Sequence, residues 1–254
     1  MRIVLVTVCS LIACLIIFWT IKFWGRSLHF VPYDHPLYSN TGNLSQPIIF
    51  IKPRASELEK VLIENNNLFL DVASTRDEKV VLPIKVWDFK KKPIRSSLYQ
   101  DIKSDVVLLF DLKEKLTNKK IIFNLFENAQ AGHAIFFDEI KKMGWGNGDN
   151  FIVTSPYEAI AKSLKDLAPA WLYGSTKPEI LRLVAMDAML LIEAVSFRAD
   201  IIIHPLTIRN QKFYDEDLLA ELNRRHKKII VGPIDSTEMD VARQLNPLGI
   251  VVQQ

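Results

Sequence analysis

The polar side chains that could do chemistry stand at the ends of short apolar runs. Asp71 ends one such run, Lys52 and Arg54 lie at the end of another, His204 closes a third and Asp235 follows a fourth. Carboxylates bind hard divalent cations, whereas lysine and arginine bind phosphate groups. Asp71 is therefore a candidate metal ligand. Arg54, Lys52 and Asp235 are candidate ligand-binding residues; the two cations would bind a phosphate, which the Asp235 carboxylate opposes.

His204 is the only one of the five histidines that closes an apolar run, in the segment Ile-Ile-Ile-His-Pro. Two interpretations stay open. The imidazole could transfer protons near neutral pH, which makes it a weak catalytic candidate. Alternatively, it could end a strand and hydrogen-bond to the backbone. The second interpretation is favoured, because no carboxylate close in sequence would orient the ring.

The chain begins with an apolar stretch that is long enough to cross a bilayer. Residues 3–21 are interrupted only by Thr and Ser, and Lys22 and Arg26 follow. Nineteen residues rising about 1.5 Å each span roughly 28 Å as a helix. No signal-peptidase site follows, so we predict an uncleaved anchor over residues 1–26, with the lipid bilayer as partner. Lipoprotein cleavage before Cys14 is the alternative.

Composition narrows the function of the remaining residues. Cys9 and Cys14 both lie inside the apolar stretch, so the rest of the chain offers neither a disulfide nor a thiol nucleophile. The net charge of +3 is spread along the chain, which predicts no nucleic-acid partner. Charges flanking the anchor are nearly balanced and do not fix its orientation. The cysteine-free remainder favours an extracytoplasmic over a cytoplasmic domain. No feature identifies a protein partner.

Residues 27–47 are predicted to be a linker, and residues 48–254 a single domain. The linker is rich in Pro, Asn and Ser and shows no sustained period. In the domain, short apolar runs alternate with amphipathic ones. Strands are predicted at 48–52, 68–72, 121–126, 151–154, 170–173, 200–204, 228–231 and 249–252. Helices are predicted near 56–66, 104–117, 128–143, 156–167, 178–196, 214–225 and 236–244.

Eight near-continuous apolar strands with intervening helices predict a (β/α)8 barrel of the TIM type. We expect the barrel to be small and to lack a closing eighth helix, because the sequence ends two residues past the last strand. The apolar run at 80–84 is predicted to be an extra hairpin arm. A doubly wound open sheet is the alternative fold, but no glycine-rich dinucleotide turn supports it.

Residues 68–84, LFLDVASTRDEKVVLPI, carry a family resemblance. The segment resembles the motif E-L-D-V-x-x-T-x-D-G-x-x-V-V-x-H-D of the glycerophosphodiester phosphodiesterases, whose fold is the TIM barrel of the phospholipase-C-like phosphodiesterases. Asp71, Thr75 and Asp77 match that motif. The metal-binding Glu of the family falls on Phe69, and one catalytic His falls on Ile84.

Other segments resemble the same family in order and spacing. The first-strand motif His-Arg-Gly corresponds to Pro53-Arg54-Ala55, so Arg54 is kept and the His is replaced. The Glu of the Asn-Ile-Glu-Ile-Lys strand falls on Asn124 or Phe126, depending on register. Residues 153–160 are similar to Q-S-F-D-P-E-A-L, and residues 229–254 are similar to the carboxyl-terminal end of the family domain.

The resemblance implies a mechanism with two histidines as acid and base and a cation held by carboxylates. Both histidine positions are lost here, so we expect a pseudoenzyme with a binding or scaffolding role at the membrane surface and no cofactor. We expect Asp71 to face Arg54 or Lys52, or to remain solvated, because an unpaired buried carboxylate is unfavourable. The barrel could still bind a phosphate-containing ligand.

The alternative function is an active, divergent phosphoric diester hydrolase. It would act on glycerophosphodiesters or lipid headgroups in lipid metabolism. That activity would require Ca²⁺ or Mg²⁺ at Asp71 and proton transfer by His204. The two functions differ in one observable feature, which is whether a histidine lies within hydrogen-bonding reach of a carboxylate cluster at the strand ends.

Overall fold

The apolar runs form the strands of a computed structural model that describes residues 2–39, 46–85, 92–129 and 131–253. The strands are β1 (Ile48–Lys52), β2 (Asn67–Ser74), β3 (Val80–Pro83), β4 (Val106–Leu108), β5 (Lys120–Leu125), β6 (Phe151–Thr154), β7 (Leu172–Tyr173), β8 (Ile201–His204), β9 (Thr207–Ile208), β10 (Gln211–Lys212), β11 (Lys228–Ile234) and β12 (Gly249–Gln253). The helices are α1 (Arg2–Ser27), α2 (Pro36–Ser39), α3 (Leu58–Glu64), α4 (Tyr99–Ile102), α5 (Lys113–Leu116), α6 (Gly132–Lys142), α7 (Glu158–Leu167), α8 (Lys177–Ala188), α9 (Glu216–Arg224) and α10 (Met239–Gln244).

The parallel strands form a barrel in the order β7-β6-β5-β2-β1-β12-β11-β8. A parallel bridge between Gly174 and Ile201 joins the two ends of this order. All eight predicted barrel strands are present, and the predicted TIM-type barrel is confirmed. Positions 40–45 of the predicted linker, position 130 of a predicted helix and the terminal positions 1 and 254 lie outside the described residues.

One backbone bond and several side-chain bonds complete the barrel where β7 is too short to form a full ladder with β8. The Asp200 N–H donates to the Tyr173 carbonyl at 2.8 Å, and the Tyr173 N–H donates to Asp200 Oδ2 at 3.0 Å. The Ile203 N–H donates to Ser175 Oγ at 2.9 Å. These bonds satisfy buried backbone groups that regular strand pairing leaves open.

The barrel interior follows from the two-residue alternation of side chains along each strand. Inward positions carry large apolar residues, and the opposite positions pack beneath the helices. Leu37 of α2 joins this interior at the amino ends of the strands, so part of the predicted linker covers that end of the barrel. The other buried interior residues are Ile48, Phe50, Phe69, Ile122, Ile152, Leu172, Ile201, Ile230 and Val251.

Two predicted helices are corrected by the structure. The helix predicted at 104–117 is wrong in its first half, because Val106–Leu108 is strand β4, which pairs antiparallel with β3. A β-branched Val-Val pair suits this pairing better than a helix. The helix predicted at 178–196 ends at Ala188. Leu190 then takes the left-handed conformation, with a φ of 58°, which terminates the helix.

Helix α1 extends away from the barrel. Its segment Val6–Ser27 contains an 18-residue window with a mean hydropathy of 2.2 and no buried residue, and by length and composition the segment could cross a membrane. The other helices are shorter, and in the described part of the chain those that follow β1 pack around the strands. The predicted hairpin arm is also present, as β3 pairs antiparallel with β2.

The carboxyl-terminal end of α1 is attached to the barrel by several contacts. Arg26 Nε donates to Glu193 Oε1 at 2.8 Å. The Arg224 guanidinium donates to the carbonyls of Gly25 and Leu28 at 3.1 and 2.9 Å. Gly25 lies so close that an added Cβ would stand 2.5 Å from the Glu193 carbonyl oxygen. Glu193 and Arg224 precede β8 and β11, so the attachment lies at the amino end of the barrel.

Candidate functional site

Three polar side chains point inward at the carboxyl ends of adjacent strands. Lys52 ends β1, Asp71 lies on β2, and Asn124 on β5 pairs with Asp71 in the strand register. Each lies two residues beyond an inward apolar side chain, so all three share the barrel axis. The carboxyl ends of the strands carry the active sites of TIM barrels. We call this opening, centred on Lys52, Asp71 and Asn124, the barrel mouth.

Both oxygens of Asp71 are engaged at the mouth. Lys52 Nζ lies 3.0 Å from Asp71 Oδ2, and Asn124 Nδ2 donates to Asp71 Oδ1 at 2.6 Å. The Lys52 ammonium also stands 4.9 Å from the centroid of the Phe69 ring, within reach of a cation–π contact. The side chains of Lys52 and Asp71 are 22% and 31% exposed. The expected pairing of Asp71 with a basic neighbour is therefore confirmed.

The mouth fits a catalytic divalent cation poorly. Calcium takes six or more oxygen ligands, and magnesium also prefers oxygens. Phe69, one inward layer below Asp71, presents a buried ring. Within residues 2–39, 46–85, 92–129 and 131–253, no group of three or more His, Cys, Asp or Glu residues could hold a metal ion. Asp71 remains a lone carboxylate, and an ammonium already neutralises it.

The far side of the mouth is filled by side chains. A Cβ added at Gly174 would lie 2.7 Å from Ile203 Cδ1 and 2.9 Å from Thr154 Oγ1. Ile203 and Thr154 therefore meet over this glycine, and the Thr154 hydroxyl donates to the Ser175 carbonyl at 3.3 Å. This filling was not predicted from the sequence. The sequence feature that could have indicated it is the alternation of side chains along residues 201–204, which turns Ile203 toward the barrel interior.

His204 lies on the opposite face of the sheet from Asp71. Ile203 belongs to the interior, so the next side chain points outward beneath the helices. The His204 ring packs against the Phe213 ring at a centroid distance of 4.2 Å, and Nδ1 lies 2.9 Å from the Pro205 carbonyl oxygen. Burial lowers the pKa of His204, which favours the neutral ring. These contacts agree with the structural interpretation of this histidine.

Arg54 and Asp235 lie at the rim. Arg54 is exposed and, with Asp71, lines a cavity of about 60 Å³ between the β1–α3 loop and β3. Asp235 is exposed ahead of the turn Ser236–Glu238, and its N–H donates to the Glu238 carboxylate at 3.2 Å. A second carboxylate beside Asp235 makes this turn unfavourable for a phosphate. The structure thus brings Lys52 to Asp71 and gives Asp235 an acidic neighbour.

The other residues that match the family motif build the hairpin arm. The Thr75 hydroxyl accepts from the Lys79 N–H at 3.0 Å. Asp77 Oδ1 accepts from the Tyr99 N–H at 2.8 Å. Both bonds hold turns of the chain outside the mouth. The motif therefore has a structural role at these two positions.

Glu127 has a structural role that the sequence did not indicate. Its buried carboxylate accepts from the N–H groups of Ile94 and Arg95, at 2.8 and 2.9 Å. These bonds fix the segment that leads into α4. Glu127 is therefore turned away from Asp71, and it supplies no second carboxylate to the mouth.

Comparisons with known proteins identify the fold. No protein-family model matches the chain, and no curated protein matches it either. Solved structures do match. The glycerophosphoryl diester phosphodiesterase domain of an uncharacterised Mycobacterium tuberculosis protein has a TM-score of 0.62 at 10% identity, covering 82% of this chain and 96% of that chain.

Two further structures give the same result. A putative glycerophosphoryl diester phosphodiesterase from Silicibacter pomeroyi has a TM-score of 0.62 at 10% identity and covers 86% of this chain and 94% of that chain. An Oleispira antarctica phosphodiesterase, solved with its product sn-glycerol-3-phosphate, has a TM-score of 0.59 at 14% identity and covers 85% and 94%. The chain therefore has the TIM-barrel fold of the glycerophosphodiester phosphodiesterases.

Proposed function

We propose that this protein is a membrane-anchored barrel that does not hydrolyse phosphodiesters and serves a binding or scaffolding role at the membrane surface. The observation that carries the proposal is the ion pair between Lys52 and Asp71. Among the described residues, Asp71 is the carboxylate that points into the mouth, and the pair places an ammonium on it where the family resemblance implies a metal cation. The fold is retained, and the chemical groups at its mouth have changed.

The loss of the groups that would transfer protons supports the same proposal. Loss of a single general acid or base slows catalysis by about 10²–10⁴-fold. In the family resemblance both histidines fall on residues without a titratable group, namely Pro53 and Ile84. His204 cannot replace them without leaving its packing against Phe213 on the outer face. The effects of such losses need not multiply, but no described side chain supplies the missing proton transfers.

A hydrolysis assay tests the proposal. The full-length protein, solubilised in detergent, would be incubated with glycerophosphocholine or glycerophosphoethanolamine in the presence of Ca²⁺, Mg²⁺ or a chelator. We expect no release of glycerol phosphate above the rate in buffer. Metal-dependent turnover that is lost in Asp71→Ala or His204→Ala, and kept in Asp240→Ala on the exposed surface of α10, would establish the divergent hydrolase instead.

We also propose that the barrel mouth can bind an anionic ligand, and this part of the proposal is tested separately. Arg54 is exposed at the rim, and Lys52 lies below it at the end of β1, so a phosphate could reach both cations. Thermal stabilisation by sn-glycerol 3-phosphate, lost in Arg54→Ala, would support such binding without turnover. An unchanged melting temperature at millimolar ligand would restrict the role of the barrel to protein or lipid contacts.

The proposed location at the membrane depends on helix α1. We propose that it spans the bilayer once and holds the barrel on the extracytoplasmic side. The test is retention of the full-length protein in the membrane fraction through alkaline carbonate, combined with the mass of its amino terminus. A mature chain that begins at Cys14 would establish the lipoprotein alternative. The side of the membrane on which the barrel lies is tested by adding protease to cells whose outer layers are permeable and whose inner membrane is intact. Cleavage of the barrel would place it on the extracytoplasmic side.

A further inference from the structure

The outer surface of α8 and the turn that follows it expose several apolar residues, with Arg182 as an exposed charged neighbour. Leu181 is 45% exposed, Met189 51% and Leu190 63%, and Ala185 and Ala188 are exposed between them. Leu181, Ala185, Ala188 and Met189 follow one another at helical spacing, and Leu190 lies in the turn that ends the helix. We call these five residues the α8 stripe. Helix α7 differs in degree, because Leu167 is its one exposed large apolar residue, while Ile160 and Leu164 are buried and Lys162 and Asp166 are exposed.

The turn that ends the α8 stripe keeps a leucine where the backbone favours glycine. Leu190 has a φ of 58°. Its N–H donates to the Asp187 carbonyl, and the Leu191 N–H donates to the Met186 carbonyl, both at 2.8 Å. This pattern ends many helices, and its left-handed position is usually occupied by Gly or Asn. A leucine here is unfavourable for the backbone and also exposes an apolar side chain to water.

The α8 stripe lies beside the point where α1 leaves the barrel. Lys22 Nζ donates to the Leu190 carbonyl at 3.1 Å, and Lys22 is the first charged residue after the apolar stretch of α1. Trp19, Phe23 and Trp24 are exposed on the same part of α1. Aromatic residues and lysines next to an apolar helix are typical of the interfacial layer of a bilayer. Leu190 therefore lies beside the part of α1 that has this composition.

We propose that the α8 stripe is inserted into the interfacial layer of the bilayer that α1 crosses, as a second membrane contact. This inference rests on the proposed membrane location of α1, beside which the stripe ends at Leu190. Burial in lipid would remove Met189 and Leu190 from water and explain a leucine at the left-handed position. Two contacts, held together by Arg26 and Glu193, would fix the orientation of the barrel on the membrane.

Site-specific fluorescence tests the contact in the full-length chain. In a Cys9→Ser/Cys14→Ser background, single cysteines replace Leu190, Ile12 of α1 or Ile63 of α3, and each carries an environment-sensitive nitrobenzoxadiazole label. Ile63 is the control, because it is 77% exposed on the opposite side of the barrel. The proteins are reconstituted into vesicles of phosphatidylcholine and phosphatidylglycerol, with or without brominated acyl chains. Met189→Cys serves as a second variant if Leu190→Cys does not fold.

The contact is supported if brominated chains quench most of the fluorescence at positions 12 and 190 while iodide in the buffer quenches position 63. Quenching by lipid at position 12 together with quenching by iodide at position 190 would overturn the second contact and leave the anchor intact. Absence of lipid quenching at position 12 would overturn both. A label at position 190 that is protected from both quenchers would indicate a second copy of the chain on the stripe, which also contradicts the proposal.

Discussion

The Lys52 ammonium lies 3.0 Å from the Asp71 carboxylate, and the Asn124 amide donates to the other oxygen of that carboxylate. A carboxylate held in this way is satisfied without a metal ion, because a cation and a hydrogen-bond donor already compensate its charge. The pair stabilises the mouth in its present form.

Removal of one partner of this pair should destabilise the protein. Lys52→Met leaves Asp71 half-buried and bonded only to Asn124, and we expect a loss of about 1–2 kcal/mol in the free energy of unfolding. The double variant Lys52→Met/Asp71→Asn should recover most of that loss. A double-mutant cycle by chemical denaturation in detergent measures the coupling. The control cycle is Arg243 with Asp240, an exposed pair at 3.2 Å, for which we expect a coupling of about 0–0.5 kcal/mol.

Most of the barrel could be predicted from the sequence, because strands buried on both faces are apolar along their whole length. Residues 106–108 were mistaken for helix, since their pairing with β3 depends on chain that is distant in sequence. The bonds of Asp200 and Ser175 that complete the barrel are tertiary and leave no local pattern.

The details of the mouth were harder to predict for a different reason. The family resemblance placed the lost catalytic histidine at Pro53, whereas the inward side chain at the end of β1 is Lys52. A shift of one residue turns a side chain to the other face of a strand, and spacing alone does not settle such a shift. The pairing of Asp71 was predictable, because a partly buried carboxylate requires a partner.

A second carboxylate at the mouth should create a cation response that the native protein lacks. In Asn124→Asp, two carboxylates face each other and Asp71 loses a donor. The folded-state pKa of one of them should rise above its unfolded value. The variant should therefore be less stable than the native protein at pH 7 and should regain stability as the pH falls toward 4. Millimolar Ca²⁺ should raise its melting temperature, whereas Asn124→Ala should not respond. A comparable Ca²⁺ response in the native protein would contradict the absence of a metal site.

His204 should contribute to a loss of stability in mild acid. Burial lowers the pKa of His204 and that of the buried His35, so the unfolded chain binds protons at these positions more readily than the folded chain. Stability should therefore fall as the pH drops through the unfolded histidine pKa, near 6.5, toward the lower folded value. Each group contributes a slope of at most about 1.4 kcal/mol per pH unit.

The variant His204→Leu should reduce that slope between about pH 6.5 and 5. Chemical denaturation at a series of pH values provides the measurement, and His29→Gln, on an exposed part of the chain, is the control. A slope that is the same in His204→Leu and the native protein would show that this ring is charged or solvated in the folded state.

A substitution at Gly25 should loosen the attachment of α1 to the barrel, because Gly25 packs directly against Glu193. A Cβ at position 25 would stand 2.5 Å from the Glu193 carbonyl oxygen and 2.9 Å from the Ala194 nitrogen. These are backbone atoms, so no side-chain rotation relieves the overlap. We expect Gly25→Ala to lose about 1–3 kcal/mol of stability at this junction and to break the bonds between Arg224 and the end of α1.

Limited proteolysis measures the uncoupling, because residues 28–35 join α1 to α2 at the amino end of the barrel and should become more accessible when the junction opens. Cleavage in this segment should be faster in Gly25→Ala than in the native protein, while retention in the membrane fraction stays the same. Gly146→Ala is the matched control, since its Cβ would meet only the Lys141 side chain, at 4.0 Å. Equal cleavage rates in the two variants would show that the barrel is tethered by α1 without being locked to it.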